Sequence, residues 1–153
     1  DRMLYIGTFA NTMIALDADN GGELWHFDAQ DWVWGGPAIN GDALYFGDLS
    51  GAFYALDRQT GEMLWKVAPG TGSIVDTPLV VDDMIYFTAE EGLLVAVQAD
   101  GSISWQKTFE GNTYASPAAA GDLILVTTSQ PEALVVAYDA NGAQKWTFSD
   151  AGE

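Results

Sequence analysis

The chain contains no cysteine, which excludes disulfides, thiolate metal sites and cysteine nucleophiles. The compartment stays open, because many exported proteins also lack the residue. Cations are scarce as well: five Lys plus Arg stand against 22 Asp plus Glu, a formal net charge of -17. A phosphate backbone needs clustered cations, so nucleic acid is excluded as a partner. No apolar run reaches the roughly 18 residues of a membrane-spanning helix, and direct membrane insertion is not expected. There is no Asn-x-Ser/Thr acceptor, no Gly-x-Gly-x-x-Gly or Walker pattern, and no serine in a Gly-x-Ser-x-Gly context, which removes nucleotide binding and serine-hydrolase chemistry. No signal segment is present, and a chain that begins at Asp1 leaves room for one removed by processing.

What remains is a chain of 153 residues, 48% apolar, long enough for one ordinary core. Its acids are scattered singly or in pairs. They make a solvated acidic surface or, on the sharper reading, an attraction for a basic partner or divalent cations.

A repeat governs the order of residues. Trp25, Trp65, Trp105 and Trp146 are spaced 40, 40 and 41 apart, Ala15, Ala55, Ala96 and Ala137 keep step, and Pro37, Pro78 and Pro117 form a third series. The segments ALDADNGGELW, ALDRQTGEMLW, AVQADGSISW and AYDANGAQKW each end an apolar stretch, turn, and restart at tryptophan. Asp17, Asp57 and Asp139 can accept backbone amides two residues on, and Gly21, Gly61, Gly101 and Gly142 supply the positive φ of a tight turn. A second hairpin in each unit is marked by INGDALYFG, VVDDMIYFT and AAGDLILVT, with DRMLYIG at the start. Each unit therefore reads as four short strands. LYFG, FYAL, MIYF and LLVAV are apolar almost throughout, so both faces of these sheets must be covered. Four-stranded antiparallel sheets stacked around an axis meet that condition, and a period of about 40 residues marks an all-β propeller.

Ala55, Asp57, Thr60, Gly61 and Trp65 spell Ala-x-Asp-x-x-Thr-Gly-x-x-x-Trp, which resembles the repeat of pyrroloquinoline-quinone (PQQ)-like β-propellers. Asn20 replaces the threonine in the first unit, and the third unit is one residue shorter with Gln98 in place of the aspartate. The resemblance implies an innermost strand after Pro37, Pro78 and Pro117 and an outermost strand carrying Trp65, Trp105 and Trp146. The single propeller segment, 1–153, then divides into units of approximately 1–35, lacking its innermost strand, 36–76, 77–115 and 116–153. Family rings close with about seven or eight blades. About four blades are expected here, as part of a longer chain or as half of a ring completed by a second copy in a homodimer.

The same resemblance implies a non-catalytic, protein-binding scaffold in the periplasm or outside the cell, with the BamB-like outer-membrane assembly factors as nearest members. An extracytoplasmic ligand-binding sensor domain is the alternative, and a fragment of a PQQ-dependent dehydrogenase the third reading. Only the last would call for PQQ with calcium; otherwise no cofactor is expected. Such dehydrogenases commonly place a vicinal cysteine pair beside the quinone, and this chain has none. DADNGG at 17–22 resembles a calcium loop in outline but fails at Gly21, and its sister segments hold simple turns. His26, one residue after a repeat tryptophan, is expected to face solvent from an outer strand.

Binding residues are expected in the loops leading to the innermost strands, DWVWGGP, SIVDTP and NTYASP, which would crowd one mouth of the channel. Aligned on proline, Trp34 matches Val75 and Tyr114, as expected of a packed position, whereas Trp32 matches the polar Ser73 and Asn112. If the stretch is extended, Trp32 and Trp34 share one side and Val33 the other. Trp32, the exception to the repeat, is expected either to cover the rim of a neighbouring blade or, as the candidate binding residue, to contact a ligand or partner, where it would anchor a peptide or stack on a sugar. Asp31, Asp76, Tyr114 and Ser116 are its expected polar companions.

Overall fold

The computed structural model describes residues 2–150. Its strands form four antiparallel sheets in which sequence neighbours are spatial neighbours. The first sheet holds β1 (Met3–Gly7), β2 (Thr12–Asp17) and β3 (Glu23–Asp28). The second holds β4 (Ala38–Asn40), β5 (Ala43–Gly47), β6 (Phe53–Asp57) and β7 (Met63–Val67), and the third β8 (Leu79–Val81), β9 (Met84–Ala89), β10 (Leu93–Gln98) and β11 (Ile103–Thr108). The fourth holds β12 (Ala118–Ala120), β13 (Leu123–Thr127), β14 (Val135–Asp139) and β15 (Gln144–Phe148), with one turn of 3-10 helix, Pro131–Ala133, before β14.

β4, β8 and β12 follow their prolines and lie beside one another, as the inner strands of a propeller must. Three apolar clusters fill the three spaces between successive sheets. Leu44, Phe46 and Tyr54 of the second sheet meet Met13, Ala15 and Trp25 of the first. Phe53 stacks on Phe87 at 3.9 Å between the second and third, and Tyr86 and Leu94 meet Ile124, Val136 and Tyr138 between the third and fourth. The middle sheets are buried on both faces, which accounts for the apolar runs of β5, β6, β9 and β10.

The repeat residues act between sheets. The ring of Trp25 lies over Gly61, Trp65 over Gly101 and Trp105 over Gly142, so close that a Cβ on any of these glycines would fall 2.7–2.9 Å from the indole. Each indole N–H donates to a carbonyl of the next sheet's corner: Trp25 to Arg58 (3.1 Å), Trp65 to Ala99 (2.8 Å) and Trp105 to Ala140 (2.8 Å). Trp146 is 44% exposed. The corners are set by Asp17, Asp57 and Asp139, whose Oδ1 atoms accept the amides of Asp19, Gln59 and Asn141; Asp100 serves the third, through Ser102. Beside every one of these corners the outer pair of strands carries a register shift, at Ala15/Leu16, Ala55/Leu56, Ala96/Val97 and Ala137/Tyr138. Such a bulge adds local twist.

A Trp105→Phe variant keeps the aromatic face on Gly142 and loses one hydrogen bond. Its stability should fall by about 1 kcal/mol, read as a lower urea midpoint at unchanged slope.

Candidate functional site

Two kinds of loop share one end of the sheets: the corners between second and third strands, and the connections that carry the chain from one sheet to the next. They are stitched together by backbone bonds. Val33 N–H donates to Thr8 O, Leu49 N–H to Trp32 O, Ile74 N–H to Asp48 O and Glu90 N–H to Ser73 O, all within 2.9–3.1 Å. The connections also link to each other. Gly36 N–H donates to Thr77 Oγ1 (3.1 Å), and Thr77 N–H donates to Ser116 Oγ (2.9 Å).

Within QDWVWGGP the side chains alternate as an extended stretch requires, with Val33 inside at 1% exposure and Trp32 and Trp34 outside at 45% and 57%. The expectation that Trp34 fills a packed position is therefore corrected. The buried row is Val33, Ile74 and Thr113, at 1%, 0% and 1% exposure. Val33 and Ile74 lie over Gly7 and Gly47, where a Cβ would come within 2.5 and 2.2 Å of the side chain. Trp34, Val75 and Tyr114, the next residue in each connection, instead converge on a cavity of about 320 Å³ completed by Leu49, Ser73 and Glu90. Their shared apolar character lines a hollow at the mouth and fills no interior. Phe9, which sequence reasoning missed, sits between the tryptophans, with ring centroids 5.4 Å from Trp32 and 5.2 Å from Trp34. Its repeat counterparts are Leu49 and Glu90 of the cavity wall.

The expected polar companions divide. Tyr114 is at the mouth, 61% exposed, with its hydroxyl accepting from Asn112 Nδ2 at 2.7 Å. Asp31 is half-buried and turns on itself, its Oδ1 accepting the Trp32 amide at 2.7 Å. The Ser116 hydroxyl takes the Thr77 amide and so joins two loops. Asp76 points inward and is 3% exposed. Its Oδ2 accepts from Thr88 N–H (2.7 Å) and Thr88 Oγ1 (2.8 Å), while Oδ1 is buried without a partner. Burial pushes this carboxyl up to about 7, only partly offset by the Thr88 bonds. The backbone of Asp76 packs on Gly35, where a Cβ would come within 1.8 Å of the Asp76 carbonyl oxygen.

Asp48, also missed, is fully buried and organises the rim. Its Oδ2 accepts from Gln30 N–H (3.0 Å), Asp31 N–H (3.2 Å) and the Tyr54 hydroxyl (2.8 Å). Oδ1 takes Ser50 N–H (2.9 Å), the Ser50 hydroxyl (2.5 Å) and Ala52 N–H (3.3 Å). Burial and the bond to Asp48 hold the Tyr54 phenol far above its ordinary value. The available signal was a break in the repeat: Tyr54 stands where Ile14, Val95 and Val136 stand, and Asp48 where Thr8, Ala89 and Thr128 stand.

A larger cleft, about 430 Å³, opens at the opposite end against the first sheet. Its acids are engaged, Asp19 with Arg2 at 2.8 Å and Asp17 with Asp19 N–H and Asn20. His26 lies on β3 at the surface, its Nδ1 2.7 Å from Glu23.

Residues 9–146 match the family model described as outer membrane protein assembly factor BamB. Among curated relatives, a tetrathionate hydrolase of Acidithiobacillus ferrooxidans is 29% identical over 90% of this chain and 31% of its own length. A quinohemoprotein alcohol dehydrogenase of Pseudomonas putida is 30% identical over 99% of this chain and 24% of its own. The chain spans about a third or less of these relatives. The crystal structure of BamB from Moraxella catarrhalis superposes with a TM-score of 0.81 at 22% identity, covering 98% of this chain and 50% of that one, which shows the propeller fold.

Proposed function

The chain belongs to the BamB family of PQQ-like β-propellers, and on that premise we propose that it is a non-catalytic protein-binding module, acting in the periplasm in outer membrane protein assembly. One observation carries this reading. Phe9, Trp32 and Trp34 form a cluster of exposed rings, 61%, 45% and 57% accessible, on loops that the backbone bonds above hold rigid. Exposed aromatics on a fixed scaffold are the groups that protein interfaces use as anchors.

The quinone and calcium of the dehydrogenase reading do not fit the residues present. Calcium takes about six to eight oxygens, whereas among the described residues no three His, Asp or Glu side chains gather to hold a metal. The six donors around Asp48 occupy both of its oxygens, and the vicinal cysteine pair has no counterpart. Among the described residues no helix is long and apolar enough to cross a membrane.

The test presents immobilised chain to solubilised outer-membrane assembly machinery. Retention by the native chain, and at least about tenfold less by Trp32→Ala, is the expected result. Equal retention by both would remove the mouth as the interface. In parallel, PQQ with calcium should leave the melting temperature unchanged; a rise of several degrees would bring back the enzyme, because a ligand that binds only the folded state stabilises it.

A further inference from the structure

Charge divides the molecule by position. Arg2 and Arg58 lie at the end that carries the glycine corners, and Lys66, Lys107 and Lys145 lie on the outer strands β7, β11 and β15. The loops of the mouth contain Asp31, Glu90, Glu91, Glu110 and Glu132, besides the buried Asp48 and Asp76, and no Lys, Arg or His at all. Within that face lies the cavity of about 320 Å³, walled by the Trp34 and Tyr114 rings and by Leu49 and Val75. Among the described residues Glu90 is the one charged residue that lines it. Glu90 takes part in none of the ion pairs among the described residues.

Aromatic faces attract positive charge through their quadrupole, a carboxylate supplies the opposite charge, and apolar walls receive a methylene stem. We infer that this cavity receives the arginine or lysine side chain of a basic segment in a partner polypeptide. The proposal rests on the reading of the mouth as a protein-binding surface and names the chemistry that surface selects. A polypeptide, and not a free organic cation, is the occupant because the aromatic surface continues past the cavity. Phe9 and Trp32 lie beside Trp34 and offer contact to the residues flanking the inserted one. The net charge of -17 steers a basic chain toward the protein, and the loops of the mouth carry none of its few cations.

The test titrates the whole chain with an acetylated, amidated Gly-Ser-Leu-Arg-Ser-Gly peptide and with its citrulline analogue, at about 0.15 M salt. Indole and tyrosine NMR signals report the site. The expected result is a shift at Trp34 and Tyr114, with the arginine peptide binding about tenfold more tightly than the citrulline one. Trp34→Ala should weaken binding about tenfold and Glu90→Gln about fivefold, while Glu62→Gln, at the opposite end, should leave it unchanged. Trp34 and Glu90 are surface residues, and circular dichroism checks that the variants fold. Equal affinity for the two peptides overturns the proposal, as does an equal loss in Glu62→Gln, which would mean unspecific attraction. Tetramethylammonium displacing the peptide at equal concentration overturns the polypeptide source. If the Trp32-dependent retention of assembly machinery holds while the arginine preference fails, the cationic occupant alone is removed. If retention fails as well, the reading beneath it falls too.

Discussion

Replacing Asp48 with alanine should destabilise the protein by about 3–5 kcal/mol, lowering the melting temperature by roughly 10 °C in a domain of this size. The carboxylate is fully buried and accepts from backbone amides of Gln30, Asp31, Ser50 and Ala52 and from the hydroxyls of Ser50 and Tyr54. Alanine leaves those donors facing a cavity, and the Tyr54 hydroxyl, itself inside the core cluster, has the least access to replacement water. Asparagine does little better, because its amide group would point two further donors at a shell made of donors. The contrast is Asp31→Ala, which removes only the bond to the adjacent Trp32 amide and should cost well under about 1 kcal/mol. Urea titration of the three variants ranks them. If Asp48→Ala matched Asp31→Ala, the rim would owe its order to packing alone.

Asp76 gives the second large effect, with a pH dependence opposite to that of the other shifted carboxyls. Its pKa rises from 3.8 to about 7 on folding, because burial disfavours the charged form. The stability tied to it is therefore complete below about pH 4, falls as the pH rises from 4 to 7, and is level above. The size of the change is on the order of 4 kcal/mol, from about three pH units at 1.36 kcal/mol each. The other shifted carboxyls run the other way. Asp139 is held below its ordinary value by Lys145, Asp100 by Ser102 and Asp57 by the Thr60 amide, so their contributions are present at neutral pH and lost on acidification. Comparison with Asp76→Asn isolates the buried group: the difference in unfolding free energy, variant minus native, should climb steadily between pH 4 and 7. Parallel curves would show that Asp76 ionises in the fold at its ordinary pKa.

Much of the architecture was legible because the same physical demand recurs in every unit. An indole needs a glycine beneath it and a carbonyl at its edge, and an aspartate needs the amides of a corner. Each demand leaves its residue at a spacing of 40 or 41. The outer-strand bulges recur as regularly, each directly after the repeat alanine that pairs with a repeat tryptophan, but an alanine at that spacing marks the position without announcing a bulge. The site was read less well, for two reasons. Val33, Ile74 and Thr113 are buried to the same degree yet differ in polarity, so composition does not show that they form a row. Trp34, Val75 and Tyr114 share apolar character for a reason that imitates burial, since loops converging on a channel wall it with the same kind of residue that fills a core. Asp48 and Asp76 depart from their repeat counterparts, and that departure was the legible sign of each.

The links between the connecting loops run in one sense only: the amide of Gly36 reaches forward to the hydroxyl of Thr77, and the amide of Thr77 forward to that of Ser116. The indoles reach forward too, from each sheet to the corner of the next. The array therefore has a polarity, as a screw thread has a pitch direction. A duplicated unit can be spliced between two others and find its donors and acceptors already in place, whereas a unit set in backwards would meet amide with amide and ring with ring.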